Sequence, residues 1–215
     1  MTGPGAGRIV GHGIGLALLV AVVVQAELPE SSTHQSVERY QRTTVGATPE
    51  EWARHLDDAR AEVRLEAVKL LAESNDPKID EYLMQGVDNS DPRVAAAAID
   101  ALGKRGAKDA TSFLADRLAM AATSSGLRQR ILVALGRIKD PKVGRAVLSF
   151  VQAESDQELR SLGIRVLGEI GDDSIRDEVR GLAARESSPD VKRLLDDAEA
   201  KIAARGAPAK GASPP

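Results

Sequence analysis

Asp91-Pro-Arg-Val-Ala-Ala-Ala-Ala-Ile-Asp-Ala-Leu-Gly103 is the stretch that decides the fold. Asp followed by Pro is a helix start: the carboxylate accepts from free N–H groups, and Pro at the first position has no N–H to lose. Val94, Ala98 and Leu102 then fall four residues apart, along one face of a helix. Gly103 follows, a small residue where the helix can stop or cross a neighbour tightly.

The same pattern returns on either side. Val63, Val94, Leu127, Leu159 and Val191 are spaced by 31, 33, 32 and 32 residues, and a base follows four of them: Arg64, Arg128, Arg160 and Lys192. Four positions after the first four anchors stand Ala67, Ala98, Ile131 and Gly163; eight after stand Leu71, Leu102, Leu135 and Leu167, each followed by Ala or Gly. A second stripe comes sixteen, twenty and twenty-four residues after each anchor. Its members are Ile79, Leu83 and Val87, then Ala110, Leu114 and Leu118, then Val143, Val147 and Val151, then Ile175, Val179 and Ala183. Each unit is therefore two short amphipathic helices with short connections, which must run antiparallel. One such hairpin cannot bury its apolar face alone, but a stack can.

The prolines are an independent check. Pro49, Pro77, Pro92, Pro141 and Pro189 each follow Thr, Asp or Ser, and each falls at a predicted helix start. Thr48-Pro-Glu-Glu51 has the spacing of a capping box. The fifth unit carries Glu199 where the others have a core Leu, and helix 48–58 looks like half a unit.

The lines Asp91–Gly103 and Asp156-Gln-Glu-Leu-Arg-Ser-Leu-Gly-Ile-Arg-Val-Leu-Gly-Glu-Ile-Gly171 resemble the HEAT-repeat family, in particular its short bacterial, phycobilisome-lyase-type version. The resemblance covers about residues 48–205. It implies an all-α, right-handed α-solenoid of stacked antiparallel helical hairpins, with about four full repeats and a half-repeat at each end. The third unit departs from the pattern with Ser-Ser-Gly126 at its start.

Composition agrees. Aromatic residues are 2% of 215, so Ala, Leu, Val and Ile must fill the core, which suits thin layers of closely packed helices. The net charge is -3 and no stretch concentrates Lys and Arg, so nucleic acid is not an expected partner. There is no Cys, which excludes disulfides, thiol catalysis and thiolate metal sites.

Residues 1–26 read as a targeting segment. Arg8 precedes 18 residues, Ile9 to Ala26, without Asp, Glu, Lys or Arg, and Val24-Gln-Ala26 offers a small-x-small end before Glu27. A cleaved secretory signal and an uncleaved single-pass anchor both fit. Either places the body on the non-cytoplasmic side, in a bacterium the periplasm. Residues 27–47 read as a polar, disordered tether and 206–215 as a flexible tail.

Chemistry is sparse. His12, His34 and His55 lie in the leader, the tether and the first helix, and no His-Glu dipeptide occurs. The resembling family includes an iron hydroxylase that holds its metal with His-Glu pairs, and those have no counterpart here. It also includes bilin lyases. Nucleophile-elbow and phosphate-loop motifs are missing, so no catalytic, metal or cofactor-binding residues are assigned and no cofactor is expected. Acidic pairs such as Asp172-Asp173 read as helix ends. The recurrent bases read as structural, reaching a carboxylate such as Asp91 or Asp156 at a neighbouring helix start.

The expected role is a non-enzymatic protein-protein scaffold; the alternative is a regulatory subunit of an enzyme or a lyase-like member of the family. In HEAT-type solenoids the second helix lines the concave face. The resemblance therefore implies a partner-binding surface of Asp80, Glu81, Met84 and Asp88, then Thr111, Ser112 and Asp116. Arg145, Leu148 and Gln152 continue it, followed by Arg176, Asp177 and Arg180. This surface drifts from acidic to basic. Membrane contact is expected only through an uncleaved leader. Processing after Ala26 predicts a mature chain starting at Glu27. An intact mass of natively expressed protein checks this: a full-length mass in the membrane fraction selects the anchor, and a full-length soluble cytoplasmic protein refutes both readings.

Overall fold

The structure, a computed structural model, describes residues 48–206; the candidate leader, the tether and the tail beyond Gly206 lie outside the described residues. Ten α-helices follow one another there. They are α1 (Pro49–Arg54), α2 (Ala61–Glu73), α3 (Ile79–Val87), α4 (Pro92–Arg105), α5 (Thr111–Ala119), α6 (Ser125–Ile138), α7 (Gly144–Ala153), α8 (Gln157–Ile170), α9 (Asp173–Arg185) and α10 (Pro189–Gly206). Short 3-10 turns follow α1 and precede α5 and α7. The predicted stripes form one continuous core. Leu71, Leu102, Leu135 and Leu167 are fully buried, as are Leu83, Leu114, Val147 and Val179. Leu127 alone among the anchors is only half-buried.

The architecture is the expected α-solenoid of hairpins, with a different grouping of its helices. Each of α3, α5, α7 and α9 packs more extensively along the helix that follows it than along the one before. The ten helices thus make five hairpins, α1/α2 to α9/α10, and no half-repeats are needed at the ends.

Successive even-numbered helices also lie against one another far more closely than successive odd-numbered ones. Glycine makes this possible. The helices run on past Gly103, Gly136 and Gly168, so these residues serve crossing rather than termination. A Cβ on Gly103 would stand 2.8 Å from the Cα of Ala134, and one on Gly168 would stand 3.2 Å from the Cα of Ala198. The side made by α2, α4, α6, α8 and α10 is therefore the more tightly packed, inner side of the array, and the odd-numbered helices make the outer side. In the new grouping the even-numbered helices are the second helices of their hairpins.

Side chains at the helix starts set the register. Thr48 and Glu51 make both bonds of the capping box. Asp91, Ser124, Asp156 and Asp172 each cap a helix by accepting from backbone N–H groups two or three residues on. Pro77 falls in the turn before α3, where Asp76 accepts from the Lys78 N–H. The recurrent bases are structural, but their partner is not the capping Asp. Arg64 donates to Asn89 Oδ1 (3.1 Å), Arg128 to Glu154 Oε2 (3.2 Å) and Arg160 to Glu186 Oε2 (2.7 Å). Each acceptor stands two residues before a cap and also takes that cap's backbone N–H. Asp91 and Asp156 are already occupied with capping, and Asp91 additionally with Arg93 (2.8 Å). The clamp is missing once. Ala95 and Ala122 occupy its two positions, beside the loop that precedes Leu127.

Two predictions follow from this packing and capping. Gly103→Ala pushes a methyl into the backbone of α6 and should destabilise by about 1–3 kcal/mol. A Cβ on Gly181, inside α9, would meet nothing within 4 Å. Gly181→Ala should therefore be neutral or stabilising by up to about 1 kcal/mol. Urea denaturation of both variants checks the pair, and equal effects would refute close helix crossing at Gly103. The second prediction concerns acid. Arg60 holds the Asp58 carboxyl down at about 2, and Arg93 does the same for Asp91, from an ordinary value of 3.8. Carboxyls depressed in the folded state stabilise it above their unfolded pKa and cease to as pH falls through the folded value. The urea midpoint should thus fall between about pH 4 and pH 2, and Asp91→Asn should make that fall shallower.

Candidate interaction surface

The surface expected from the resemblance lies on the odd-numbered helices, the more loosely packed side. Its members do not form one exposed face. Leu148 is 1% exposed and Thr111 is 2% exposed, and neither can meet a partner. Helices α5 and α7 lie between neighbouring helices on more than one side, so a wider arc is buried than the single apolar stripe suggests. Thr111 sits at a turn, where its hydroxyl is 2.6 Å from the Lys108 carbonyl and 3.0 Å from Asp140 Oδ2. Met84 is half-buried against the core. Glu81, Ser112, Asp116 and Gln152 are exposed.

The expected drift from acidic to basic is largely neutralised within the chain. Asp80 pairs with Arg105 (2.8 Å) and Asp88 with Arg117 (2.6 Å). Arg145 pairs with Glu178 (2.8 Å), Arg176 with Glu199 (2.6 Å), and Arg180 with both Glu199 (2.7 Å) and Asp177 (2.9 Å). Glu199 replaces the core Leu for a structural reason. In α10 the buried stripe is Val191, Leu195, Ala198 and Ile202, which turns Glu199 towards the two arginines of α9. Those arginines hold its carboxyl below the usual range. The basic end of the outer surface is therefore part of the stacking between α9 and α10. A groove of about 590 Å³ does open between α5 and α7, with the Arg128–Glu154 clamp at its end.

Sequence reasoning missed the surface on the even-numbered helices. There the half-buried and exposed positions beside the core stripe fall into register from helix to helix. Ala97, Arg130, Leu162 and Leu194 make one row, and Asp100, Val133, Arg165 and Asp197 the next. Val133, Leu162 and Leu194 are half-buried, so apolar carbon reaches the surface in three successive helices. A trough of about 710 Å³ lies between α6 and α8, lined by Gln129, Ser161, Leu162 and Arg165 among others. A second, of about 360 Å³, lies between α8 and α10, lined by Arg165, Leu194 and Asp197 among others. Ion pairs cross the rows between helices: Arg93 with Glu62 (3.3 Å), Arg130 with Asp100, and Lys201 with Glu169 (2.7 Å). The signal that would have found this surface was present. It is the set of positions two, three, six and ten residues after each anchor, which the repeat leaves free of core residues.

Among the described residues no group of His, Asp or Glu side chains is placed to hold a metal ion, and no helix is long and apolar enough to cross a membrane.

Residues 49–124 match the family profile of HEAT repeats. No curated protein matches the sequence. Among solved structures, the chain is similar to an engineered protein determined by the Northeast Structural Genomics Consortium, at 16% identity and a TM-score of 0.52. That match covers 85% of this chain and 94% of the other. A designed armadillo repeat protein is also similar, at 18% identity and a TM-score of 0.48, with 77% and 86% covered. The first likeness supports the fold alone, and the profile match is confined to the first half of the described residues. With its hairpins grouped as the packing groups them, the chain is an α-solenoid of stacked helical hairpins whose residues 49–124 match HEAT repeats.

Proposed function

We propose that the protein is a non-enzymatic scaffold that holds a protein partner along the face formed by α4, α6, α8 and α10. The observation that carries this reading is the register of that face. Half-buried apolar residues and polar neighbours repeat from helix to helix, so one extended partner can touch several repeats in succession. The outer surface supports it less well, because most of its charges are engaged with one another. HEAT-type repeats commonly serve as interaction scaffolds, which agrees with this reading. The charge-free stretch Ile9–Ala26 supports a location on the non-cytoplasmic side of a membrane, whether the body is released or stays tethered.

A photo-crosslinking amino acid placed singly at Gln129, Ser161, Ser112 and Gln152 in the native host tests the face. The first two positions lie on the inner helices and the last two on the outer. Adducts with a discrete protein are expected from Gln129 and Ser161. Adducts confined to Ser112 and Gln152 would move the site to the outer surface, and none from any position would overturn the scaffold reading.

A further inference from the structure

The inner face has a chemical preference of its own. Lys104 on α4, Arg137 on α6 and Arg165 on α8 are exposed, and none of them makes an ion pair or hydrogen bond among the described residues. This contrasts with the cations around them. Arg93, Arg130, Lys69 and Lys201 each have a carboxylate within the chain. Lys104 and Arg137 occupy the same register position, ten residues after their anchors, on neighbouring helices. Packed helices stand about 8–10 Å apart, so the two charges are separated by roughly that distance. Both are near a helix C-terminus, where a cation also suits the negative end of the helix dipole. Arg165 has no such use. It stands mid-helix on the rim shared by two troughs, with Leu162 beside it in one and Leu194 in the other.

We infer that this face takes an acidic segment of a partner protein, one that carries apolar side chains between its carboxylates. The inference rests on the scaffold reading above and adds the chemistry of the partner. Troughs lined by Leu162 and Leu194 accept the apolar side chains, and the three free cations meet carboxylates about 10 Å apart, the helix spacing. An unpaired guanidinium or ammonium at a partly apolar surface gains most from a carboxylate that arrives with its own apolar flank. Such a pair is desolvated on binding and stronger than one in open water. Of the carboxylates near the patch, Asp156 and Glu158 line the larger trough at the start of α8; Asp156 is engaged in capping that helix, and Glu158 makes that end of the trough acidic, away from Arg165 at its other end. Glu169 is shared by Lys201 (2.7 Å) and Lys139 (4.0 Å), and Asp100 is engaged with Arg130. Asp197 and Lys201 both line the smaller trough with Arg165, so their charges offset one another there.

The probes are three fluorescein-labelled peptides of fourteen residues: Leu and Glu in mixed order, the same order with Lys for Glu, and Glu with Ser for Leu. Binding to the purified full chain is followed by anisotropy at low and physiological salt. The Leu/Glu peptide should bind, and the Lys and Ser versions should bind at least tenfold more weakly. Lys104→Glu, Arg137→Glu and Arg165→Glu together should abolish binding, and the matching Gln triple should weaken it about tenfold. Circular dichroism melts should stay near wild type for the Gln triple and fall only slightly for the Glu triple, in which two carboxylates meet the negative end of a helix dipole, so both remain folded. Preference for the Lys peptide, equal binding of the Ser peptide, or unchanged binding by the folded triples would each overturn the inference. The scaffold reading fails separately, through the crosslinking positions. Adducts at Gln129 and Ser161 with a basic partner segment would keep the scaffold and remove the acidic preference.

Discussion

The stack depends on how closely successive even-numbered helices can approach. At Gly103 the space for a side chain is taken by the backbone of α6, and at Gly168 by the backbone of α10. With so few aromatic residues, the core is made of small and branched aliphatics whose layers are thin. Thin layers bury their carbon only when helix axes come near one another, so the absent side chain at these crossings matters as much as the leucines beside them. The close approach on one side also brings the exposed residues of successive repeats into one continuous surface there.

Polar contacts then fix what close packing leaves free. Apolar stripes tolerate sliding along a helix, whereas a cap accepts from particular backbone N–H groups. The Arg–Glu and Arg–Asn clamps extend this between hairpins, since one acceptor ties the next helix start to a guanidinium of the preceding even-numbered helix. Hydrogen bonds to a charged guanidinium that also join two elements hold angle as well as distance. The ion pairs of the outer surface act likewise, and this is why residues with the appearance of a charged binding face proved to be stitching between neighbouring helices.

Most of the fold was legible in the sequence because a period of about 32 residues with stripes at fixed offsets leaves little choice of architecture. Leu71, Leu102, Leu135 and Leu167 are all fully buried, at the positions the spacing named. Two things were hidden, for different reasons. An alternating string of helices has no intrinsic starting point, so periodicity cannot say whether a helix belongs with the one before or the one after. Packing decides that, and the decision exchanges the inner and outer faces. Burial around a helix was the other. Leu148 and Thr111 lie beside the predicted stripe, but a helix held between neighbours buries more than one stripe. Arg176 and Arg180 were legible as charges, while their shared partner Glu199 depends on the way α10 turns its face.

The paired alanines at positions 95 and 122 say something about the history of the array. A donor and its acceptor can both be lost at small cost, whereas losing one strands the other in a partly buried place. Any lineage passing between the clamped and unclamped junction by single changes must cross a form less stable than either. The two residues, far apart in the chain, are therefore expected to be inherited as a unit, so that swapping one repeat for its neighbour would graft half of a bond. Repeats that look interchangeable on paper carry a memory of which neighbour they were fitted to.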